Sequence, residues 1–359
     1  MAGNVYFAPL PDDPTAFAEP DLAPGLQALG RALGLPGSAK GQWALKVHLG
    51  PRNRPAAVDA AWAEAAADLF AGAAGTFAFD TLSITTEGLD EAVAHRELAS
   101  IKGFGTGTLP YSVADAPDQG ASLSTELPFD SDLSDHTLAG GLVAAENLCV
   151  LTPVRPHPHV GLRGAITTMG VGLADRKSKI ALHRSIRPKV DTPLCAGCGV
   201  CMTVCLFDAI KLNAGRAYID HKACTGCGEC MNVCFMAGIN PEEEAGVPAF
   251  QARVADAALA ARLRITGGEA AREVYISFLV RLDRQNGGAR SRQRNRLGNI
   301  GILASRDPVA LDQATCDLIS QRMGGNLGDW SGFKQLPEAL LARAEAIGLG
   351  QRAYKLVTV

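Results

Sequence analysis

Long hydrophobic runs are missing from this chain. No uninterrupted apolar stretch reaches the roughly 18 residues that a membrane span needs, so no spanning segment and no membrane partner are expected. The opening Met1-Ala2-Gly3-Asn4-Val5-Tyr6-Phe7 has neither a basic n-region nor an apolar h-region, so no secretory leader is expected. An excess of one charge is missing too: Lys and Arg number 34 against 37 Asp and Glu, a net charge of −3. That balance argues against a nucleic-acid surface or a polybasic membrane anchor. Nucleotide fingerprints are also lacking. Gly170-Val171-Gly172 continues to Asp175 where a dinucleotide site needs Gly or Ala, and Gly103-Phe104-Gly105-Thr106-Gly107 misses the third glycine. There is no P-loop and no G-x-S-x-G elbow. No nicotinamide or bound nucleotide is expected, and flavin is left open.

What is present is a soluble globular composition, 47% apolar and 20% charged over 359 residues, long enough for one large and one small unit. With no leader, the expected location is cytoplasmic, where thiols stay reduced, so ten cysteines need a role other than disulfides. Eight have one. Cys195, Cys198, Cys201 and Cys205 follow the spacing C-x2-C-x2-C-x3-C, and Cys224, Cys227, Cys230 and Cys234 repeat it 29 positions later. The run matches the bacterial two-cluster ferredoxin pattern, in which the fourth cysteine of each run serves the other cluster. Two 4Fe–4S clusters are expected, one on Cys195, Cys198, Cys201 and Cys234, the other on Cys224, Cys227, Cys230 and Cys205. Three thiolates two residues apart wrap one face of a cubane, and Gly197, Gly199, Gly226 and Gly228 permit the tight turns between them. Paired zinc sites are the bland alternative, but these favour longer separations or admixed His. The Pro that usually follows the fourth cysteine is Leu206 in one run and Phe235 in the other. Cys149 and Cys316 fall outside the pattern and read as buried small hydrophobes.

Strand and helix patterns alternate on both sides of the cysteines. Strands are expected at Lys46–Leu49, Thr76–Ile84, Asn147–Thr152, Val274–Leu282, Asn299–Ala304 and Ala353–Val359. Helices are expected at 54–74, 89–101, 251–263 and 336–347, and after Asp307-Pro308, an N-cap followed by Pro at the first helical position. A small hairpin is expected around Asn213-Ala214-Gly215. The fold class that follows is a split α/β domain, 1–189 and 242–359, interrupted by a ferredoxin-like (α+β) two-cluster module at 190–241.

The stretch from Val154-Arg155-Pro156-His157-Pro158-His159-Val160-Gly161-Leu162-Arg163-Gly164 to Gly170-Val171-Gly172 resembles the domain-of-unknown-function-362 family. So do Lys46-Val47-His48, Asp80-Thr81, Ile300-Gly301-Ile302-Leu303-Ala304-Ser305 with Asp307-Pro308-Val309-Ala310-Leu311-Asp312, and Ala346-Ile347-Gly348-Leu349-Gly350. The order is right and most of the chain is covered. The resemblance implies an α/β architecture, a ferredoxin insertion at this point and a redox character, without naming a substrate. The chain departs from the family pattern at Arg155, which replaces Lys, and at Thr167-Thr168, which replace Lys-Asn. A cysteine-bearing loop before the C-terminal strand is replaced by 290–296, which lacks Cys.

Arg155, His157, His159 and Arg163 form a loop after an expected strand, where open α/β sheets bind ligands. With His48, they suggest a site in which Arg155 and Arg163 orient a carboxylate or phosphate and His157 or His48 gives a proton. Arg176, Lys179 and His183 are further polar residues of interest; a metal site on His157, His159 and His183 is the weaker reading. Surface residues making local hydrogen bonds are the plain alternative. The basic stretch Arg281, Arg284, Arg290, Arg292, Arg294 and Arg296 reads first as a solvated loop, then as an anion clamp or docking patch. The leading expectation is an oxidoreductase that takes electrons from a low-potential ferredoxin or flavodoxin-type donor and reduces a small anionic substrate. An electron carrier docking a partner enzyme is the second reading, and a non-redox enzyme or binding protein with structural clusters the third.

Overall fold

The computed structural model describes residues 3–11, 20–35, 40–50, 52, 57–85, 88–133, 135–242, 246–282, 297–331, 333 and 335–359. Eight strands make the main sheet: β1 (Gly3–Pro9), β2 (Gln42–Lys46), β3 (Gly75–Asp80), β4 (Tyr111–Val113), β5 (Asn147–Pro153), β6 (Glu273–Leu279), β7 (Gly301–Ser305) and β8 (Tyr354–Thr358). Their order is β8-β1-β7-β6-β5-β2-β3-β4. Neighbours pair in parallel except at β7, which runs antiparallel to both β1 and β6. β5 and β6 are buried at every residue, as strands covered on both faces must be. Alternate residues feed two cores. Leu148, Val150, Tyr275 and Leu303 face the helices Ala165–Gly170, Gly246–Thr266, Pro308–Met323 and Glu338–Ala346. Cys149, Leu151, Ile276 and Ile302 face Ala23–Ala32, Ala60–Ala67 and Ala92–Ile101. The chain is thus a mixed α/β protein with a large, mostly parallel sheet. Among the described residues, no helix is long and apolar enough to cross a membrane.

Several expected elements shift for identifiable reasons. β2 covers Gln42–Lys46 rather than Lys46–Leu49, because the unbroken run Trp43-Ala44-Leu45 is buried on both faces while Val47 to Leu49 turn off the sheet. The helix expected over 54–74 is Ala60–Ala67 closed by a 3-10 turn at Asp68–Phe70, and its first residues, 54–56, lie outside the described residues. β6 stops at Leu279, since Arg281 takes φ +52° and Leu282 bridges to Gly298 instead. β1, which pairs with β7 and β8, was not anticipated. Of the basic stretch only Arg281 lies within the described residues, where its guanidinium meets Asp59 at 3.1 Å and stacks on Trp62.

The cysteine segment departs and returns through an antiparallel pair, Pro188–Val190 with Ile239–Pro241. Between them lie the hairpin Ile210–Asn213/Arg216–Ile219, turned at Ala214-Gly215, and a separate small core of Cys201, Ile210, Ile219, Cys230, Met231 and Ile239. Cys149 and Cys316 are both buried, each in one of the two main cores.

The Asp307 cap holds: its side chain accepts from the Val309 and Ala310 N–H groups at 2.9 and 3.0 Å, and from Gln351 N at 2.9 Å. Asp307→Ala should therefore lower stability by about 1–2 kcal/mol, read as a lower urea midpoint at unchanged m-value.

Candidate active-site pocket

The winding of the sheet changes direction at β2. The chain proceeds from β2 to β3 and β4 on one side, and β5 then returns to pair with the other side of β2. Such a switch leaves a crevice at the strands' carboxyl ends, the usual ligand position in open α/β sheets. A cavity of about 110 Å³ opens there, enough for several waters or a small ligand. Lys46 and His48 enter it from the end of β2, Asp80 and Thr81 from β3, and Pro153 from β5. The two-stranded ribbon Arg155–His157/Gly161–Arg163 supplies His157 and Arg163, and the helix Ala165–Gly170 supplies Thr167 and Thr168. Lys179 and His183 come from the helix Arg176–His183, and Ile84, Leu89 and Val171 give an apolar wall. The last contributor is Cys227, from the second cysteine run.

Electrostatics organise the floor. Lys46 Nζ lies 2.6 Å from Asp80 Oδ1, and the carboxylate also accepts Thr81 N at 2.8 Å and Leu49 N at 3.2 Å. Burial pushes Asp80 up, but the Lys46 ammonium and the His48 ring hold it well below the usual carboxylate range. Lys179 Nζ donates to Thr81 Oγ1 and to Leu82 O, both at 2.6 Å, and burial draws its pKa down to about 8. Burial also lowers Arg163, which stays protonated near neutral pH.

The histidines are neutral. Burial, then the Arg163 charge, brings His48 to about 4, although 28% of its side chain is accessible from the pocket mouth. Burial holds His157 well below its ordinary value and takes His183 to about 4 and His159 to about 3. Hydrogen bonds set their tautomers. His159 N–H donates to His157 Nδ1 at 3.2 Å, which leaves the His157 proton on Nε2. His183 Nδ1–H donates to Lys179 O at 2.7 Å, and His159 Nε2–H donates to Gly226 O at 3.0 Å. The rings of His157, His159 and His183 do gather, with centroids 5.8 and 6.2 Å apart. Among the described residues, however, no group of three or more His, Cys, Asp or Glu is placed to hold a metal ion.

Of the residues singled out in sequence, His48, His157 and Arg163 meet in the pocket, with Lys179 and His183. Arg155 does not belong to its wall: its guanidinium donates to Val154 O at 2.6 Å and Val280 O at 3.1 Å. Sequence reasoning missed Thr167 as a wall residue and Lys46 and Asp80 as a pair, though all three sat in segments noted for the family resemblance. Asp312 was also missed. It accepts from Ala165 N and Ile166 N at 2.6 and 3.0 Å, capping the helix that carries Thr167, and burial raises its pKa to about 7.

Cysteines of the two runs come close enough to influence one another. Cys201 is influenced by Cys198, Cys234 and Cys195; Cys230 by Cys227, Cys224, Cys201 and Cys205. Backbone N–H groups of Ala217, Gly226 and Gly238 donate to Cys195, Cys224 and Cys234 sulfurs at 3.4, 3.4 and 3.3 Å. The second run packs directly on the α/β body. Gly226 and Gly228 take φ +77° and +81°, and a Cβ on Gly226 would lie 2.0 Å from Ile186 O, one on Gly228 2.5 Å from His159 Nε2.

The sequence pattern of the family described as Domain of unknown function (DUF362) matches residues 44–317. A search of curated proteins finds no match. Among solved structures, the lactate racemase apoprotein from Thermoanaerobacterium thermosaccharolyticum superposes with a TM-score of 0.40 at 12% identity. The match covers 89% of this chain and 57% of that one, so this chain spans little more than half that protein's length.

Two outcomes test the geometry. Asp80→Asn strands a buried ammonium and should cost about 3–5 kcal/mol in urea unfolding, whereas Lys46→Met/Asp80→Leu should recover most of that loss. Carbamylation by cyanate, followed by mass spectrometry across pH, should give Lys179 a midpoint near 8, below the ordinary lysine value of about 10.4.

Proposed function

The chain belongs to the DUF362 family, and from that premise we propose an iron–sulfur oxidoreductase that delivers electrons to a small anionic substrate in the pocket. The residues expected to hold two 4Fe–4S clusters suit that task. Cysteines of the two runs stand close enough to influence one another, three sulfurs receive backbone N–H donors, and glycines remove side chains where the loops turn. Cys195, Cys198, Cys201 and Cys234 would hold one cluster, and Cys224, Cys227, Cys230 and Cys205 the other. When bound, clusters of this class supply single electrons, commonly at low potential.

The observation that carries the reading is Cys227: a residue of the second cysteine run forms one wall of a cavity whose other walls bear Lys46, Arg163 and Lys179. Electrons arriving at that run stand beside a place for an anion. The chain's own residues bind and orient: Arg163 and Lys179 supply positive charge, His157 and His48 hydrogen-bonding edges, and the apolar side chains exclude water. The exposed Leu194, Val200, Met202, Phe235 and Met236 flank the cysteines and offer a face for a low-potential donor protein. A pure carrier would have no use for a cationic pocket beside its second run.

Anaerobic reconstitution followed by iron and sulfide analysis should give about eight of each per chain. Reduction should produce the EPR signals of coupled 4Fe–4S centres, and Cys227→Ala should lose about half of the iron. Zinc in place of iron, or iron unaffected by that substitution, would overturn the assignment.

A further inference from the structure

We propose that the pocket is built for a short-chain monocarboxylate, with Arg163 and Thr167 holding its carboxylate group and His157 Nε2–H completing the set. This rests on the reading above that the substrate sits in this pocket, and names its class. Three groups there are prepared for a ligand. Among the described residues, the Arg163 guanidinium makes no hydrogen bond or ion pair, although it lines the cavity; Glu229 and Asp80 act on it through space. Thr167 is 4% exposed, and its hydroxyl is buried with no hydrogen-bond partner. Its neighbour Thr168 donates to Gly164 O at 2.8 Å in the usual helical manner, so the unpaired hydroxyl is particular to Thr167. His157, with Nδ1 accepting from His159 N–H, keeps its proton on Nε2 as a donor. A buried donor left unpaired is costly, and these three become paired when an anion enters.

A carboxylate fits better than a phosphate. Phosphate sites rely on backbone N–H groups at a helix start or in a glycine-rich loop. Here the helix beside the pocket has its first N–H groups, Ala165 and Ile166, already committed to the Asp312 carboxylate. A Cβ on Gly164 would stand 2.4 Å from that carboxylate, so it is seated closely. What remains is one guanidinium fork, one hydroxyl and one imidazole N–H, a set matching two carboxylate oxygens, with the Lys179 ammonium, two of its protons already given to Thr81 Oγ1 and Leu82 O, as a second positive charge. Ile84, Leu89 and Val171 accommodate a few carbons, and a cavity of about 110 Å³ excludes long chains.

The test is anaerobic titration calorimetry on the full chain as purified, with acetate, propionate and pyruvate as probes, and inorganic phosphate and chloride as comparators. At least one carboxylate should bind at one site per chain, more tightly than phosphate. Arg163→Gln should weaken it roughly 10–100-fold and Thr167→Val several-fold. Thr167→Val changes no charge and little volume, so it keeps the test decisive if the arginine variant folds poorly. Phosphate binding tighter than every carboxylate, no carboxylate binding, or equal binding by wild type and Thr167→Val would each overturn the proposal. Iron and EPR measurements on the same samples separate the two ideas. Iron-loaded protein that binds no carboxylate sinks the ligand class alone, and carboxylate binding without iron sinks the redox reading alone.

Discussion

The ion pair between Lys46 and Asp80 is the constraint from which the pocket is built. Both side chains are almost wholly buried, at the carboxyl ends of adjacent parallel strands. Removing two charges from water is expensive, and attraction offsets it only when the remaining hydrogen-bonding capacity is met. It is met here: Lys46 also donates to Val47 O, and Asp80 receives Thr81 N and Leu49 N. Those bonds fix the loops after β2 and β3. Thr81, placed by Asp80, donates to Gly172 O at 2.7 Å and accepts from Lys179, so the pair's influence reaches the helices on the far side of the cavity. A hydrophobic pair could fill the same volume, but it would not orient three backbone groups around one point.

That arrangement decides the charge left for a ligand. Asp80 pairs with Lys46, and burial lowers the surrounding histidines, so among the described residues Arg163 and Lys179 are the pocket cations with no carboxylate in ion-pair contact. The histidines then act by shape and tautomer rather than by charge. Depressed by burial, they are weak proton donors at neutral pH, while Lys179, near 8, sits where an acid of the pocket would be most effective. The substrate's proton in the proposed reduction is thus better sought at Lys179 than at His48 or His157.

The sequence was most informative where chemistry and spacing coincide. The Asp307-Pro308 helix start and the hairpin at Ala214-Gly215 are local patterns, readable within a few residues. His157 and Arg163 were readable because a polar loop followed a buried strand. The Lys46–Asp80 pair was not: 34 positions separate the residues, and β2 and β3, being parallel neighbours, leave no hairpin to betray their register. Asp312 was hidden for the same reason, 147 positions from the helix it caps. Thr167 stood out only as a departure from a family pattern, because an unpaired hydroxyl is a property of the finished cavity and not of any sequence window.

The contact between the cysteine segment and the body follows the same logic of fixed geometry. Gly226 and Gly228 allow the second run to approach more closely than any side chain would permit, against Ile186 O, His183 O and His159. His159 holds the contact by donating Nε2–H to Gly226 O, and Gln251 grips His159 O at 3.0 Å from the long helix behind. The cost is a buried His159 Nδ1 without a partner, about 1–3 kcal/mol for such a group. A looser contact would let water satisfy that nitrogen. It would also let Cys227 move relative to Arg163 and Lys179, and the proposed electron delivery to a bound anion would need that separation held constant. An unpaired nitrogen at this seam is therefore consistent with selection for position over stability, and it argues against a hinge between the cysteine segment and the pocket.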